Sequence, residues 1–156
     1  EAQMALRKSE VPLDVPERSS SLKYMLSIIK EGKGGGICIA GPPGTGKTTI
    51  IGALKNQSPS KDKIVVVNGL YDREPEVQKK QVKVLIIDEA DRVSPKWLME
   101  QFSVAFKAKA KLLVIAICNS LILPRKIRAR YPSVKTITFE AYTKSDLTSI
   151  IDARVG

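Results

Sequence analysis

Three observations predict an α/β fold built on a parallel sheet. Five short apolar runs recur along the chain, each continuous and rich in β-branched residues, not alternating. The segments between them read mostly as helices. A glycine-rich stretch, GPPGTGKT, follows the first run directly and opens a helical pattern. The 156 residues suffice for one such domain with a real core, not for a large multidomain enzyme.

The strand candidates are GICIA (36–40), KIVVVN (63–68), VKVLIID (82–88), KLLVIAI (111–117) and VKTITF (134–139). Ahead of the first, Leu22, Met25, Leu26 and Ile29 fall at i, i+3, i+4 and i+7, the spacing of an amphipathic helix. The serines at 19–21 offer it an N-cap and Gly32 a stop. SPKWLMEQF predicts a further helix with Ser94 as N-cap and Pro95 in the first helical position. It runs into FKAKAK, where Lys107, Lys109 and Lys111 either complement the helix dipole or form a basic patch. YTKSDLTSII predicts a last helix, with Thr143 and Asp146 at capping-box spacing. Between the second and third runs, GLYDREPEVQKKQ is barely the roughly dozen residues that a parallel crossover needs.

Lys and Arg number 26 against 16 Asp and Glu, a formal charge of +10. That excess points toward a polyanionic partner such as nucleic acid, although lysine-rich solvated faces give the same count. Cys38 and Cys118 sit inside apolar runs and read as small buried hydrophobes in a reducing compartment, with no disulfide and no metal site. The chain has no histidine, which excludes imidazole acid–base chemistry and Ser-His triads. No apolar run approaches the roughly 20 residues of a bilayer span, so a soluble, intracellular protein without a membrane partner is expected.

GPPGTGKT at 41–48 satisfies G-x-x-x-x-G-K-[ST] in the strand-to-helix context that this motif requires. Gly41, Gly44 and Gly46, with Pro42, Pro43 and Thr45 between them, let successive backbone N–H groups turn inward as an anion nest at a helix N-terminus. Lys47 then reaches the β and γ phosphates of ATP, and Thr48 offers a hydroxyl to Mg²⁺. Thr49 either assists at the α phosphate or merely starts the helix. In VLIIDEAD an apolar strand carries Asp88 to its C-terminal end, where it can hold Mg²⁺, and Glu89 follows as a general base for an attacking water. Asn119, emerging after IAIC, is placed to bond the lytic water or the γ-phosphate. The catalytic candidates are therefore Glu89, Lys47 and Asn119, and the cofactors ATP and Mg²⁺.

GPPGTGKT, IIDEAD, the strand-end Asn and the arginines beyond it resemble the AAA+ ATPases. More narrowly, the chain is similar to their replication-initiator group, which holds the largest subunit of the origin recognition complex and the cell-division-cycle helicase-loading factor. VPLDVPERSSSLKYMLSIIKEGKGGGICIAGPPGTGKT resembles that group's VP-x-x-LP-x-RE entry, its helix and its G-x-GG approach to the phosphate loop. VIAICNS, ILPRKIRARYP and ITFEAYTKSDLTSIIDARV resemble its IGIAN, LPR-x-x-SR and F-x-PYT-x-x-QL-x-x-II-x-x-R segments.

The resemblance implies an AAA+ base domain over 1–142, a five-stranded parallel sheet flanked by helices, and at 143–156 the start of a lid domain that is missing or only begun. It makes Val11 a backbone contact of the adenine pocket, and one of Arg125, Arg128 and Arg130 a group acting in trans on a neighbouring subunit's ATP. It implies slow ATP hydrolysis stimulated by partners, other AAA+ subunits and origin DNA as partners, and a nuclear protein, or a cytoplasmic one if archaeal. The group's long insertion between the second and third strands is almost absent here, and the loop after IAICNS is shortened.

Other readings compete. DEAD at 88–91 invites an RNA-helicase reading, which the phosphate loop contradicts, since that family favours A-x-T-G-S-G-K-T and a Ser-Ala-Thr element where CNS stands here. A small-molecule kinase needs arginine-rich lid residues and no Glu89 directly after Asp88. A nucleotide-dependent AAA+ scaffold, or an AAA+ ATPase without DNA contact, uses the same motifs with negligible turnover or other partners.

Overall fold

A computed structural model describes residues 16–42, 46–58, 63–75 and 81–139, with the backbone alone at 16–19 and 48. The described elements run in the order α1 (Pro16–Glu31), β1 (Gly35–Ala40), α2 (Lys47–Gln57), β2 (Ile64–Asn68), β3 (Val84–Asp88), a 3-10 turn (Ala90–Arg92), α3 (Pro95–Ala105), β4 (Leu113–Cys118), α4 (Ile122–Arg130) and β5 (Lys135–Thr138), with helix between successive strands except β2 and β3, where the described residues hold none. The five strands form one sheet in the order β2-β3-β4-β1-β5, every pairing parallel. The fold class expected from the sequence is the one observed.

Both faces of the sheet are covered, which is why its strands are apolar without alternation. Successive side chains of a strand point to opposite faces, so two cores result. On one face Cys38, Leu85, Ile87, Val114, Ala116 and Cys118 pack with Leu98, Phe102 and Ala105 of α3 and Ile127 of α4. On the other, Ile37, Ile39, Val84, Ile86, Ile115 and Ile117 pack with Met25 and Ile29 of α1 and Ile50 and Leu54 of α2. Each buried Val, Leu, Ile, Phe or Met among them contributes about 1.5–3 kcal/mol of transfer free energy.

Several local expectations shift. α1 begins at Pro16, so the serines at 19–21 lie inside the helix and do not cap it. Proline, with φ preset and no N–H to lose, is the better first-turn residue, and serine is tolerated in an interior. Gly32 ends α1 as expected, its N–H bonding the Ile29 carbonyl at 3.1 Å. Ser94 caps α3, its hydroxyl accepting from the Trp97 N–H at 3.3 Å. That helix stops at Ala105 with no basic residue in its last turn, so the lysines of FKAKAK lie beyond it. The strands differ from expectation by one or two residues at their ends, and ILPRKIRAR, read above only for its arginines, is α4. The helix expected in YTKSDLTSII and the lid boundary at 142 lie outside the described residues.

Candidate functional site

The C-terminal ends of β1, β3 and β4 meet at one point because β4 lies between β1 and β3 while the chain from β1 crosses to the β2 side. Such a reversal leaves a crevice beyond the strand ends, where open α/β sheets bind ligands. Gly41 enters it directly from β1. Its N–H bonds the Cys118 carbonyl at 3.1 Å, and the Phe139 N–H bonds the Ala40 carbonyl at 2.7 Å. A Cβ at Gly41 would overlap the Phe139 carbonyl oxygen, so only glycine permits this approach. At the other end of the loop Gly46 takes φ 91°, ψ 11° as N-cap of α2, a left-handed conformation that aims the helix N-terminus back into the crevice.

Lys47, the first residue of α2, is only 8% exposed. Its ammonium donates to the Gly41 carbonyl, to the Cys118 carbonyl at 3.2 Å and to Asn119 Oδ1 at 3.0 Å. A lysine has three protons, and all three are directed. Burial lowers its pKa, opposed by the nearby carboxylates of Glu89, Asp88 and Asp91. The lysine is thus held between a desolvation cost, which a phosphate oxygen accepting from it would offset, and a negative field, which a divalent cation at the carboxylates would offset.

Asn119 is the hub. Its amide donates from Nδ2 to Glu89 Oε2 at 3.0 Å while Oδ1 accepts from Lys47, and its backbone N–H donates to Asp91 Oδ2 at 2.7 Å. The geometry assigns the amide orientation, because the ammonium can only donate and the carboxylate only accept. Glu89 sits at φ 52°, ψ 47°, in the left-handed region, which costs a non-glycine residue roughly 1–2 kcal/mol. That backbone reversal turns Glu89 off the strand line toward Asn119, while Asp88 Oδ1 accepts the Glu89 N–H at 2.9 Å. Burial raises the Asp88 pKa, opposed by that N–H bond and by Lys47.

The structure therefore brings together Gly41, Gly46, Lys47, Asp88, Glu89 and Asn119, with Pro42 on the loop and Thr49 in the first turn of α2. Val11, Pro43, Gly44, Thr45 and the Thr48 side chain lie outside the described residues. Arg125, Arg128 and Arg130 are exposed on α4, the Arg130 guanidinium 6.0 Å above the Tyr131 ring. Asp91 is the member that sequence reasoning missed. It stands in IIDEAD three residues after Asp88, a spacing that a 3-10 turn converts into proximity to β4.

A left-handed N-cap glycine, a buried ammonium and a carboxylate at a strand end are a donor set that fits a nucleoside triphosphate with a divalent ion. Among the described residues no group of three or more Cys, Asp or Glu is arranged to hold a metal. Mg²⁺ suits such a site because it is ordinarily held by one or two carboxylates together with the substrate's phosphates.

Fold and site together define a P-loop nucleotide-binding domain. The profile of the ATPase family associated with various cellular activities (AAA) matches residues 37–139, well over half of the chain, and the chain belongs to that family. Nucleotide binding and ATPase chemistry are what membership implies. No curated protein sequence matches. Among solved structures, Drosophila ORC bound to DNA is similar with a TM-score of 0.66 and 22% identity, covering 97% of this chain and 47% of that one. Cdc6p from Pyrobaculum aerophilum is similar with a TM-score of 0.60 and 20% identity, covering 96% of this chain and 53% of that one. The chain spans about half the length of each, and at these identities the likeness is one of fold.

Proposed function

We propose that this chain is the ATP-binding and hydrolysing module of a DNA replication initiation factor, with ATP acting as an assembly switch between AAA+ subunits. The observation that carries the proposal is the continuous chain from Lys47 through Asn119 to Glu89. A γ-phosphate arriving between Lys47 and Asn119 competes for the partners these side chains now give one another. Asn119 then releases Glu89, which is freed to accept a proton from an attacking water. Sensing the γ-phosphate and arming the base become one event.

In this reading residues 41–49 cradle the phosphates, with Val11 at the adenine, and Asp88 and Thr48 hold Mg²⁺, which when bound neutralises developing phosphate charge. Turnover by the isolated chain is slow, because an arginine from a neighbouring subunit, the counterpart of Arg125, Arg128 or Arg130, supplies transition-state stabilisation. The initiator assignment is supported by the family-like segments from residue 11 onward and by the kinds of protein that share the fold. It makes other AAA+ subunits and origin DNA the partners, and it puts the protein in a nucleus, or in the cytoplasm of an archaeon.

The experiment is ATP-dependent retention on origin DNA by the assembled subunits, with ATP turnover followed in parallel. Glu89→Gln is expected to keep retention and abolish turnover. Rapid turnover by the isolated chain, or salt-resistant retention by the assembly that is indifferent to ATP, sinks the switch. Undetectable turnover in the wild-type assembly leaves ATP as a scaffold ligand.

A further inference from the structure

At the opposite end of the sheet, the loops leading into β1 and β4 frame an open groove of about 610 Å³. Lys33, Lys107, Lys109 and Lys111 line it, all exposed, and the rest of the lining is Phe106 with glycine and alanine. Among the described residues no carboxylate lines it. The helix dipole does not account for this cluster: α3 ends at Ala105 with no basic residue in its last turn, and Lys33 belongs to a different loop. The loops are fastened to each other, the Gly34 N–H bonding the Ala110 carbonyl at 3.0 Å and the Gly35 N–H the Leu112 carbonyl at 3.0 Å. Lys109 is held at φ 62°, a left-handed conformation uncommon for a lysine.

We propose that this groove binds the phosphate backbone of duplex nucleic acid. Like charges gathered around a shallow floor repel one another, and a polyanion relieves that repulsion by replacing condensed counterions. Lysine binds phosphate as a point charge, and the lining has no Arg, Asn or Gln among the described residues to read base edges, so the contact is independent of sequence. Duplex is favoured over single strand because single-strand binding stacks successive bases on several aromatic side chains. Among the described lining residues Phe106 is the single aromatic, half-buried, with one ring face stacked on Tyr131 at 5.1 Å and 9°. The Arg130 guanidinium over Tyr131 adds positive charge beside that stack. An acidic protein segment is disfavoured by the absence of an apolar anchor pocket in a floor of glycine and alanine. The surface stands apart from the nucleotide site and needs neither ATP nor its switch.

The test is fluorescence anisotropy of a labelled, mixed-sequence DNA duplex titrated with the chain at several KCl concentrations and without nucleotide. The triple variant Lys33→Ala, Lys107→Ala, Lys111→Ala is expected to weaken binding at least about tenfold at low salt and to flatten the logarithmic salt slope by about 2.7, three phosphate contacts' worth. A control triple elsewhere on the surface, Lys23→Ala, Lys55→Ala, Lys126→Ala, carries the same loss of charge and is expected to keep the slope. Lys33→Glu alone, a single change on an exposed loop, is expected to weaken binding several-fold with an unchanged melting temperature. The proposal is overturned by a wild-type chain that binds no duplex at low salt or by a control triple that loses as much as the groove triple. Competition by single-stranded DNA or polyglutamate as effective as by duplex overturns it as well. Binding without nucleotide separates these outcomes from failure of the ATP switch.

Discussion

The two ends of one sheet use lysine in opposite ways. At the C-terminal end Lys47 is buried, its protons are all directed, and carboxylates surround it. At the N-terminal end Lys33, Lys107, Lys109 and Lys111 are exposed around a groove whose described lining holds no carboxylate. The first environment selects a ligand able to replace the ammonium's own acceptors, because every donor has a protein partner before the ligand arrives. The second is a diffuse field of flexible point charges, suited to many phosphates weakly held.

The sharpest way to break this contrast is to remove the buried lysine. Lys47→Ala is expected to cost roughly tenfold to a hundredfold in ATP affinity, the worth of one charge-assisted hydrogen bond, as read by fluorescent-nucleotide titration. A loss no larger than that from Lys33→Ala would erase the distinction. Next, Glu89→Gln is expected to lower ATP turnover about a hundredfold or more while nucleotide binding persists, as for loss of a general base. Asn119→Ala follows with a reduction in turnover of about tenfold or more, because it removes the link between Lys47 and Glu89 and, in the function proposed above, an oriented polar contact to the γ-phosphate.

Asp88 tests the same end of the sheet through pH. Burial raises its pKa in the fold, so the neutral carboxyl is the better folded form, and its contribution fades as pH rises through the folded pKa. At neutral pH its charge therefore destabilises the ligand-free domain. Asp88→Asn, which keeps an acceptor for the Glu89 N–H, is expected to raise the melting temperature without ligand by roughly 2 °C at neutral pH. The gain should shrink as pH falls toward the ordinary carboxylate range, and Mg²⁺-dependent ATP binding should weaken. An effect of the same small size, on stability alone, belongs to the far end. Lys109→Gly, which relieves a left-handed backbone, is expected to raise the melting temperature by about 2 °C with ATP turnover unchanged.

Sequence by itself determined the sheet, the phosphate loop and the identity of the acidic pair. A buried parallel strand must be apolar on both sides, and a loop that turns N–H groups onto phosphate needs glycine at set intervals. Both constraints are local and leave a readable pattern, so Lys47, Asp88, Glu89 and Asn119 were all legible without coordinates. Helix ends were less so: Pro16 and the serines at 19–21 compete for the same role, and only packing of Met25 and Ile29 on the sheet decides the helix that forms.

Tertiary structure alone decided how the parts act on one another. Asp91 gained its role because a 3-10 turn and the neighbouring position of β4 carry it to the Asn119 N–H, across 28 positions of chain. Asn119 became the link between Lys47 and Glu89 because β4 is inserted between β1 and β3. Lys33 joined the lysines of FKAKAK for the same reason, since the loops entering β1 and β4 are neighbours only when those strands pair. Strand order is set by which buried faces fit against which helices, a property of the whole core that no short window of sequence contains.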